Sequence, residues 1–585
     1  MTTAGVRRAE RIIVTGVVQG VGFRPFVYRL ANELDLDGVV GNDSSRVFIA
    51  VAGIPDRISE LVDRLVTDAP PLAIIERVER EPTTETIEPG FRIVDSRRAA
   101  GERTLVAPDT AVCDDCVSEM RDPTDRRYEH PFITCTNCGP RFTIIRELPY
   151  DRPNTTMVDF DMCAACADEY GDPANRRYHA QPIGCHDCGP RVSFIGSGPA
   201  DDPIGATAAE LRAGHIVTIK GIGGFHLACD ARDSDAIARL RGRKNRPDKP
   251  LAIMVRDVAA ARRLAVISDA EAAQLTSPAR PVVLLRARPD NGLSGLVAPG
   301  NPLVGIMLPY TPVHHLLFDR LDAIDALVMT SGNTSGEPIV HRDDDAADVL
   351  APLCDAMLTH DRAIHAPCDD SVVRVVRDVL LPVRRARGYA PIPVPIVDGA
   401  RTVLATGGEL KNTFCVGSAD HAWVSPHLGD MENLETLRLF EETIARFERF
   451  YNVDPEVVAI DAHPGYLTSG WARSHRSDRV VEVQHHHAHV AAVMAEHELD
   501  PHQPVLGFAF DGTGYGSDGT IWGGEVLVAT ADGFERVGHL APIQLPGGDA
   551  AVRHPYRVAL AHLAAADVGW ADDLAPVAAA TDVER

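Results

Sequence analysis

Eight of the twelve cysteines lie in one duplicated block, and no other feature restricts the fold as tightly. Cys113, Cys116, Cys135 and Cys138 are spaced C-x2-C-x18-C-x2-C, and after 24 residues Cys163, Cys166, Cys185 and Cys188 repeat that spacing. The copies agree beyond cysteine. Asp122-Pro123 and Arg126-Arg127-Tyr128 recur as Asp172-Pro173 and Arg176-Arg177-Tyr178, and Cys138-Gly139-Pro140-Arg141 recurs as Cys188-Gly189-Pro190-Arg191. A C-x2-C turn brings two thiolates within reach of one metal ion, and two such turns complete a tetrahedral sulfur shell. The pattern predicts two structural zinc sites. Disulfides or buried free thiols are the alternative; they suit small secreted chains, not one of 585 residues with no export signal. Pairing within each repeat and an interleaved pairing, outer pairs on one ion and inner pairs on the other, both remain open.

A chain of this length exceeds what one core supports, so three or more domains are expected. Hydrophobic residues make up 45% and charged residues 24%, ordinary values for globular proteins. The start, Met1 to Glu10, has no apolar signal segment, and no stretch is apolar enough for a membrane helix, so a cytoplasmic location with no membrane partner is expected. A net charge of −25 weighs against nucleic-acid binding. Arginine supplies nearly all the positive charge; lysine occurs only at 220, 244, 249 and 411. A position that keeps lysine in such a chain can require a compact ammonium rather than a planar fork.

Residues 8–96 read as a small α/β domain. Strand-like Arg11–Val18 runs through the turn Gln19-Gly20-Val21-Gly22-Phe23-Arg24 into a helix over Pro25–Glu33. Strands at Gly38–Asn42 and Val47–Ala52, a helix over 55–66 and a closing strand Phe91–Val94 give the order βαββαβ, a ferredoxin-like split sheet. The zinc block spans 105–193, and Gly196–Asp202 has linker composition. A larger α/β unit covers 203–392, with strands at Ile216–Lys220, Leu251–Val255, Val282–Leu285 and Leu327–Thr330. Proline-rich Ala390–Pro395 precedes a last region, 402–585, that opens with strand-like Val403–Thr406 and ends in a loose Ala/Asp-rich tail. The expected fold class is a multidomain α/β chain.

Three segments carry chemistry. In the first, a glycine turn at a helix start offers backbone N–H groups to an anion, and the helix dipole adds attraction. Arg24 adds a bidentate phosphate donor, and Asn42 stands ready to hold a water in line with phosphorus. The run Val14–Arg24 with Asn42 downstream resembles the acylphosphatases; the resemblance implies Arg24 and Asn42 as the catalytic pair and Gln19, Gly20, Val21, Gly22 and Phe23 as the phosphate cradle. In the second, Lys220-Gly221-Ile222-Gly223-Gly224 follows a strand, Arg243-Lys244-Asn245-Arg246-Pro247-Asp248-Lys249 concentrates cations before another, and Thr330-Ser331-Gly332-Asn333 forms a polar strand-end turn. These resemble the YrdC family, which condenses ATP with a carbamoyl-type acid and releases pyrophosphate. The resemblance implies that Lys220, Lys244, Arg246, Lys249, Ser331, Asn333 and Arg387 serve ATP and its Mg2+. A solvated basic face is the plain alternative.

The third segment is Gln484-His485-His486-His487-Ala488-His489, in which His485 and His489 share one helix face four residues apart, suited to a divalent metal. A solvated histidine run is the alternative. Phe510-Asp511-Gly512-Thr513-Gly514-Tyr515-Gly516 reads as a strand-to-turn segment, and Gly407-Gly408-Glu409-Leu410-Lys411-Asn412-Thr413 makes a similar turn. Together they look like the actin-like transfer domains of the TsaD type, which adds Asp511 to the metal set.

In that order the modules resemble the HypF family, carbamoyltransferases of [NiFe]-hydrogenase maturation. The resemblance implies a relay: carbamoyl phosphate is hydrolysed, the carbamate is adenylated with ATP, and the carbamoyl group passes to the C-terminal cysteine of HypE. Carbamate decomposes in water, so a closed passage is expected. The zinc block would be structural, because closed four-thiolate shells leave no open position. Members of the family continue further, so the last domain is expected to be incomplete, with hydrolysis and adenylation retained and transfer weak or absent. Competing readings are a small-molecule O-carbamoyltransferase, a threonylcarbamoyl-adenylate synthase of tRNA modification, and a zinc-dependent chaperone or binding module.

Overall fold

The computed structural model describes residues 7–43, 46–94, 105–197, 201–322 and 324–580. The chain divides into two compact units, Met1–Val394 with Thr402–Glu456, and Pro395–Arg401 with Val457–Arg585. The last five residues of the expected tail lie outside the described residues; before them the short helix Ala575–Ala579 is formed.

The first unit begins with a five-stranded sheet in the order β4-β1-β3-β2-β5. Its strands are β1 (Arg8–Val17), β2 (Asp37–Asn42), β3 (Arg46–Gly53), β4 (Ile74–Pro82) and β5 (Phe91–Ile93). Two helices, α1 (Phe23–Glu33) and α2 (Pro55–Thr67), complete the domain. Ile58, Leu61 and Leu65 form the buried stripe of α2 and join Ile12, Val14, Val47 and Ile49 in the core. Alternation along the strands and a three-to-four residue period along the helix place these side chains on one side of the sheet. The fourth strand of the split sheet is β4, not the expected Phe91–Val94; Phe91–Ile93 is an additional strand, parallel to β2. The reason is composition: Glu76, Arg77, Glu79, Arg80 and Glu81 mask the strand signal, yet β4 is an edge, where charge guards against further pairing.

The finger block contains two equivalent helices, α3 (Asp114–Arg121) and α4 (Ala164–Gly171), with Cys113 and Cys163 at their N-caps. The first C-x2-C pair of each repeat therefore sits at a helix N-terminus, where the dipole favours a thiolate. The second finger leads without a break into strand Val192–Ile195, which pairs antiparallel with Ala356–His360 at the edge of an eleven-stranded mixed sheet. The opposite edge of that sheet is Val379–Arg384. Its centre, Val217–Lys220, Phe225–Asp230 and Ala326–Ser331, is almost continuously buried. Residues 402–456 pack within the same unit: Phe440, Ile444 and Phe447 of helix Leu434–Phe450 are buried, and Phe447 lies edge-on to Phe414 and Phe142 at 5.1 and 6.2 Å.

In the second unit, strands Val457–Asp461 and Val480–Val483 are parallel and alternate with helices Leu467–His475 and His485–Glu496. A three-stranded antiparallel sheet follows, Val505–Tyr515, Ile521–Ala529 and Phe534–His539. The segment read as strand-to-turn at 510–516 stays in the strand: the register shifts between Phe510 and Gly514, and pairing resumes through Tyr515. Such an irregularity re-aims a side chain, and the residue re-aimed is Asp511. No helix among the described residues is long and apolar enough to cross a membrane.

Candidate active sites and metal centres

The cysteines group by repeat, which settles the pairing as sequential: Cys113, Cys116, Cys135 and Cys138 form one cluster and Cys163, Cys166, Cys185 and Cys188 the other. Sulfur separations are 3.6–3.8 Å. Four thiolates about 2.3 Å from a tetrahedral zinc stand about 3.8 Å apart, so both clusters fit the ion, and no disulfide is formed.

The arginines that repeat with the cysteines cross over. Arg126 and Arg127 of the first repeat donate to thiolates of the second: Arg126 Nη2 lies 3.5 Å from Cys163 Sγ and 3.4 Å from Cys166 Sγ, and Arg127 Nη2 lies 3.4 Å from Cys166 Sγ. Arg176 of the second repeat returns the contact, 3.2 Å from Cys116 Sγ and 3.9 Å from Cys113 Sγ. Arg127 also pairs with Glu169 and donates to the Gly184 carbonyl, while Arg177 pairs with Glu119 and donates to that of Thr134. A zinc ion with four thiolates is a dianion overall; each repeat thus supplies the cations that offset its neighbour's charge.

At the first candidate site Gly20 and Gly22 take positive φ, +71° and +76°, and Gly22 caps α1. Gln19, Gly20, Gly22, Phe23, Arg24 and Asn42 line one cavity. Asn42 is buried, and its Oδ1 has no hydrogen-bond partner among the described residues, an acceptor available to a water. Val21 is wholly buried in the core and holds the turn from behind.

The second candidate site is a cavity of about 490 Å³ that brings together Arg246, Lys249, Ser331 and Asn333. Lys411, Thr413 and His427, from beyond the eleven-stranded sheet, line the same cavity. Neither the Lys249 nor the Lys411 ammonium has a hydrogen-bond or ion-pair partner among the described residues. The other two lysines are buried braces. Lys244 Nζ donates to the Ser331 and Asn333 carbonyls, each at 2.6 Å, and so holds the polar turn; burial pushes its pKa down to about 7. Lys220 Nζ donates to the carbonyls of His360 and Arg362 and pairs with Asp343. Arg387, 1% exposed, lies 3.5 Å above the Tyr310 ring and donates to Asp370 and to the Ala279 and Arg280 carbonyls. Burial alone would raise the Asp370 pKa, but the Arg387 charge and the His226 bond outweigh it and hold the carboxyl below its usual range. Lys244 therefore braces the turn from behind, and none of Lys220, Lys244 and Arg387 lines this cavity; Lys220 lines a separate one with Tyr310, His360 and Arg362.

At the third candidate site, one ligand atom each from His485, His489 and Asp511 lie within 4.8 Å of one another. The Nε2 atoms of His485 and His489 are 3.2 Å apart, and Asp511 Oδ2 is 3.1 Å from His485 Nε2. The donor set of two imidazoles and a carboxylate fits a borderline divalent cation. Asp461, at the end of its strand, accepts from His485 Nδ1 at 2.7 Å, fixing the tautomer that turns Nε2 toward Asp511. Nothing in the sequence marked Asp461; its only signal is its place at a strand terminus. Hydrogen bonds to Asp461 and then Asp511 push His485 up to about 9. His486 is wholly buried and donates to Asp511 Oδ1, which steadies the carboxylate.

Comparison with known proteins finds a family match along most of the chain. The acylphosphatase profile matches residues 10–93, the HypF finger profile residues 112–145 and 162–195, and the profile described as telomere recombination residues 209–386. The HypF Kae1-like domain matches residues 398–496, and the second subdomain of the carbamoyltransferase Kae1-like domain residues 507–584. The class these domains define is a carbamoyltransferase that carries an acylphosphatase domain and zinc fingers. Carbamoyltransferase HypF2 of Cupriavidus necator is 48% identical over 94% of this chain and 71% of its own length. HypF of Rhizobium leguminosarum is 48% identical over 96% of this chain and 72% of its own. A crystal structure of full-length HypF in the phosphate- and nucleotide-bound form superposes with a TM-score of 0.91 at 44% identity, covering 96% of this chain and 74% of that one. The chain belongs to the HypF carbamoyltransferase family.

Proposed function

We propose that this chain converts carbamoyl phosphate to a carbamoyl-adenylate and delivers the carbamoyl group to a thiol. At the first site the Gln19–Phe23 turn and Arg24 hold the phosphoryl group while Asn42 orients water. The water attacks phosphorus, the bridging P–O bond breaks, and carbamate leaves with the bridging oxygen. At the second site a carbamate oxygen attacks the α-phosphorus of ATP-Mg2+ and pyrophosphate departs. Arg246 and Lys249 spread its charge, Ser331 and Asn333 contact the nucleotide, and Lys244 holds their turn in place; the family resemblance adds Lys220 and Arg387 to the nucleotide set. At the third site a thiolate attacks the carbamoyl carbon and AMP leaves; His485, His489 and Asp511 would hold a divalent cation there, which would supply Lewis-acid polarisation. The family resemblance names the acceptor as the C-terminal cysteine of HypE, in hydrogenase maturation.

The observation that carries the reading is the second cavity, where ammoniums with no partner among the described residues meet a hydroxyl–amide turn braced by a buried lysine. A cavity of that size suits a nucleotide. The test is exchange of labelled pyrophosphate into ATP, with and without carbamoyl phosphate, for the wild type and for Arg24→Ala and Lys249→Ala. Exchange that requires carbamoyl phosphate and disappears in both variants supports the sequence of steps. Exchange indifferent to carbamoyl phosphate sinks it.

A further inference from the structure

The cradle at the first site is not open to solvent on all sides, and the wall that covers it comes from the finger block. The same cavity that holds Gln19, Gly20, Arg24 and Asn42 is lined by Thr136, Arg141 and Tyr150 of the first finger and its extension, and by Tyr178, His179 and Gln181 of the second. The approach is at van der Waals distance. A Cβ on Gly20 would stand 2.8 Å from the Tyr150 ring, and one on Gly22 would stand 3.0 Å from Thr136 Oγ1.

The wall is also pinned. Arg141, 1% exposed, donates from Nε to the Gly20 carbonyl at 3.0 Å and from its other nitrogens to the Thr136, Cys138 and Pro140 carbonyls. Tyr150 donates to the Pro140 carbonyl at 3.3 Å, under the Arg141 guanidinium. On the other side Gln181 Oε1 accepts from the Arg152 N–H and the Tyr170 hydroxyl, and Tyr170 stacks on His179 at 4.7 Å. A wall in which Arg141, Tyr150, Thr136 and Gln181 are held by hydrogen bonds does not yield to a bulky substrate without breaking several of them.

Resting on the reading of this site as an acyl-phosphate hydrolase, we infer that the finger block sets its acyl selectivity, with Tyr150 the principal wall. It admits small acyl phosphates and rejects aromatic ones. The fingers then have a role in substrate choice in addition to their role in folding. The phosphoryl end stays on the Gln19–Phe23 turn for every substrate, so the discrimination lies in the space left for the acyl group.

The test compares acetyl phosphate with benzoyl phosphate on the full chain. The wild type is expected to prefer acetyl phosphate in kcat/KM by about a hundredfold, the scale that a few lost or gained apolar contacts produce. Tyr150→Ala is expected to raise the benzoyl-to-acetyl ratio about tenfold, mostly through KM for benzoyl phosphate. Tyr150→Phe, which keeps the ring, is expected to retain the wild-type ratio. Zinc content of two per chain checks that each variant is folded; should Tyr150→Ala lose zinc, Tyr178→Ala on the opposite wall carries the same expectation. Equal use of both substrates by the wild type, or an unchanged ratio in the folded wall variants, overturns the inference and leaves the hydrolase reading standing. Failure of the wild type to hydrolyse any acyl phosphate overturns both.

Discussion

The four-thiolate clusters and the histidine–carboxylate cluster arrange metal-binding residue types in opposite ways. In each finger the sulfurs close on one another, three of the first four cysteines are fully buried, and arginines from the other repeat offset the charge. Such a shell has every coordination position filled, so its metal is a folding element. At His485, His489 and Asp511 there are three donors, His489 is exposed, and a second carboxylate orients one ring from behind. A three-donor set leaves positions for a substrate or water, as catalytic centres do. The two kinds of cluster thus differ in how many positions the protein can fill and in what it places behind the donors.

Four substitutions can break or sharpen that contrast. The largest effect is expected from Cys138→Ala, which opens the first shell. Structural zinc in such sites contributes on the order of 10 kcal/mol, so zinc content should fall and the thermal transition should collapse; a variant that melts like the wild type would mean the fingers are not folding elements. Next is Arg127→Ala. It removes the buried partner of Glu169, which keeps Arg126 at 3.2 Å, and one of two arginine donors to Cys166, at a cost of about 2 kcal/mol. The zinc it loosens should be that of the other repeat, so a chromophoric chelator should take one ion faster than the second. Release of both at the wild-type rate would argue against the crossed arrangement.

His489→Ala inverts the pattern. Divalent-metal binding in the second unit should be lost while stability stays within about 0.5 kcal/mol, as befits an exposed residue; calorimetric titration with Zn2+ or Fe2+ and a denaturant melt read the two quantities separately. Asp461→Asn is the mildest. It leaves all three donors and removes the group that orients His485, so affinity for the titrated metal should fall about 10- to 100-fold. An unchanged affinity would show that His485 is held by packing alone.

What could be read from the chain and what could not divides along contact order. The finger sites, the glycine turn and the histidine pair are local patterns whose spacing is itself the chemistry, and they were legible at the level of single residues. The crossed arginines were visible as a repeat but had no meaning until two segments about fifty residues apart were folded against each other. Asp461 gives no sequence signal, since a carboxylate ending a strand is commonplace. The lysines illustrate the limit differently. All four stood out, yet the sequence cannot say that Lys220 and Lys244 turn inward to carbonyls while Lys249 and Lys411 face one cavity from opposite ends of a stretch of about 160 residues. Strand β4 was lost for a simpler reason, because its edge position lets it carry charge where a central strand carries valine and isoleucine.

One connection has mechanical meaning. Because the second finger continues as Val192–Ile195, hydrogen-bonded along Ala356–His360, no slack chain intervenes between the metal-bound module and the large sheet. A finger that swung like a hinged arm would have to unzip that ladder first. Torque applied at either end is therefore transmitted through the backbone, and the finger behaves as a keel welded to the sheet's edge.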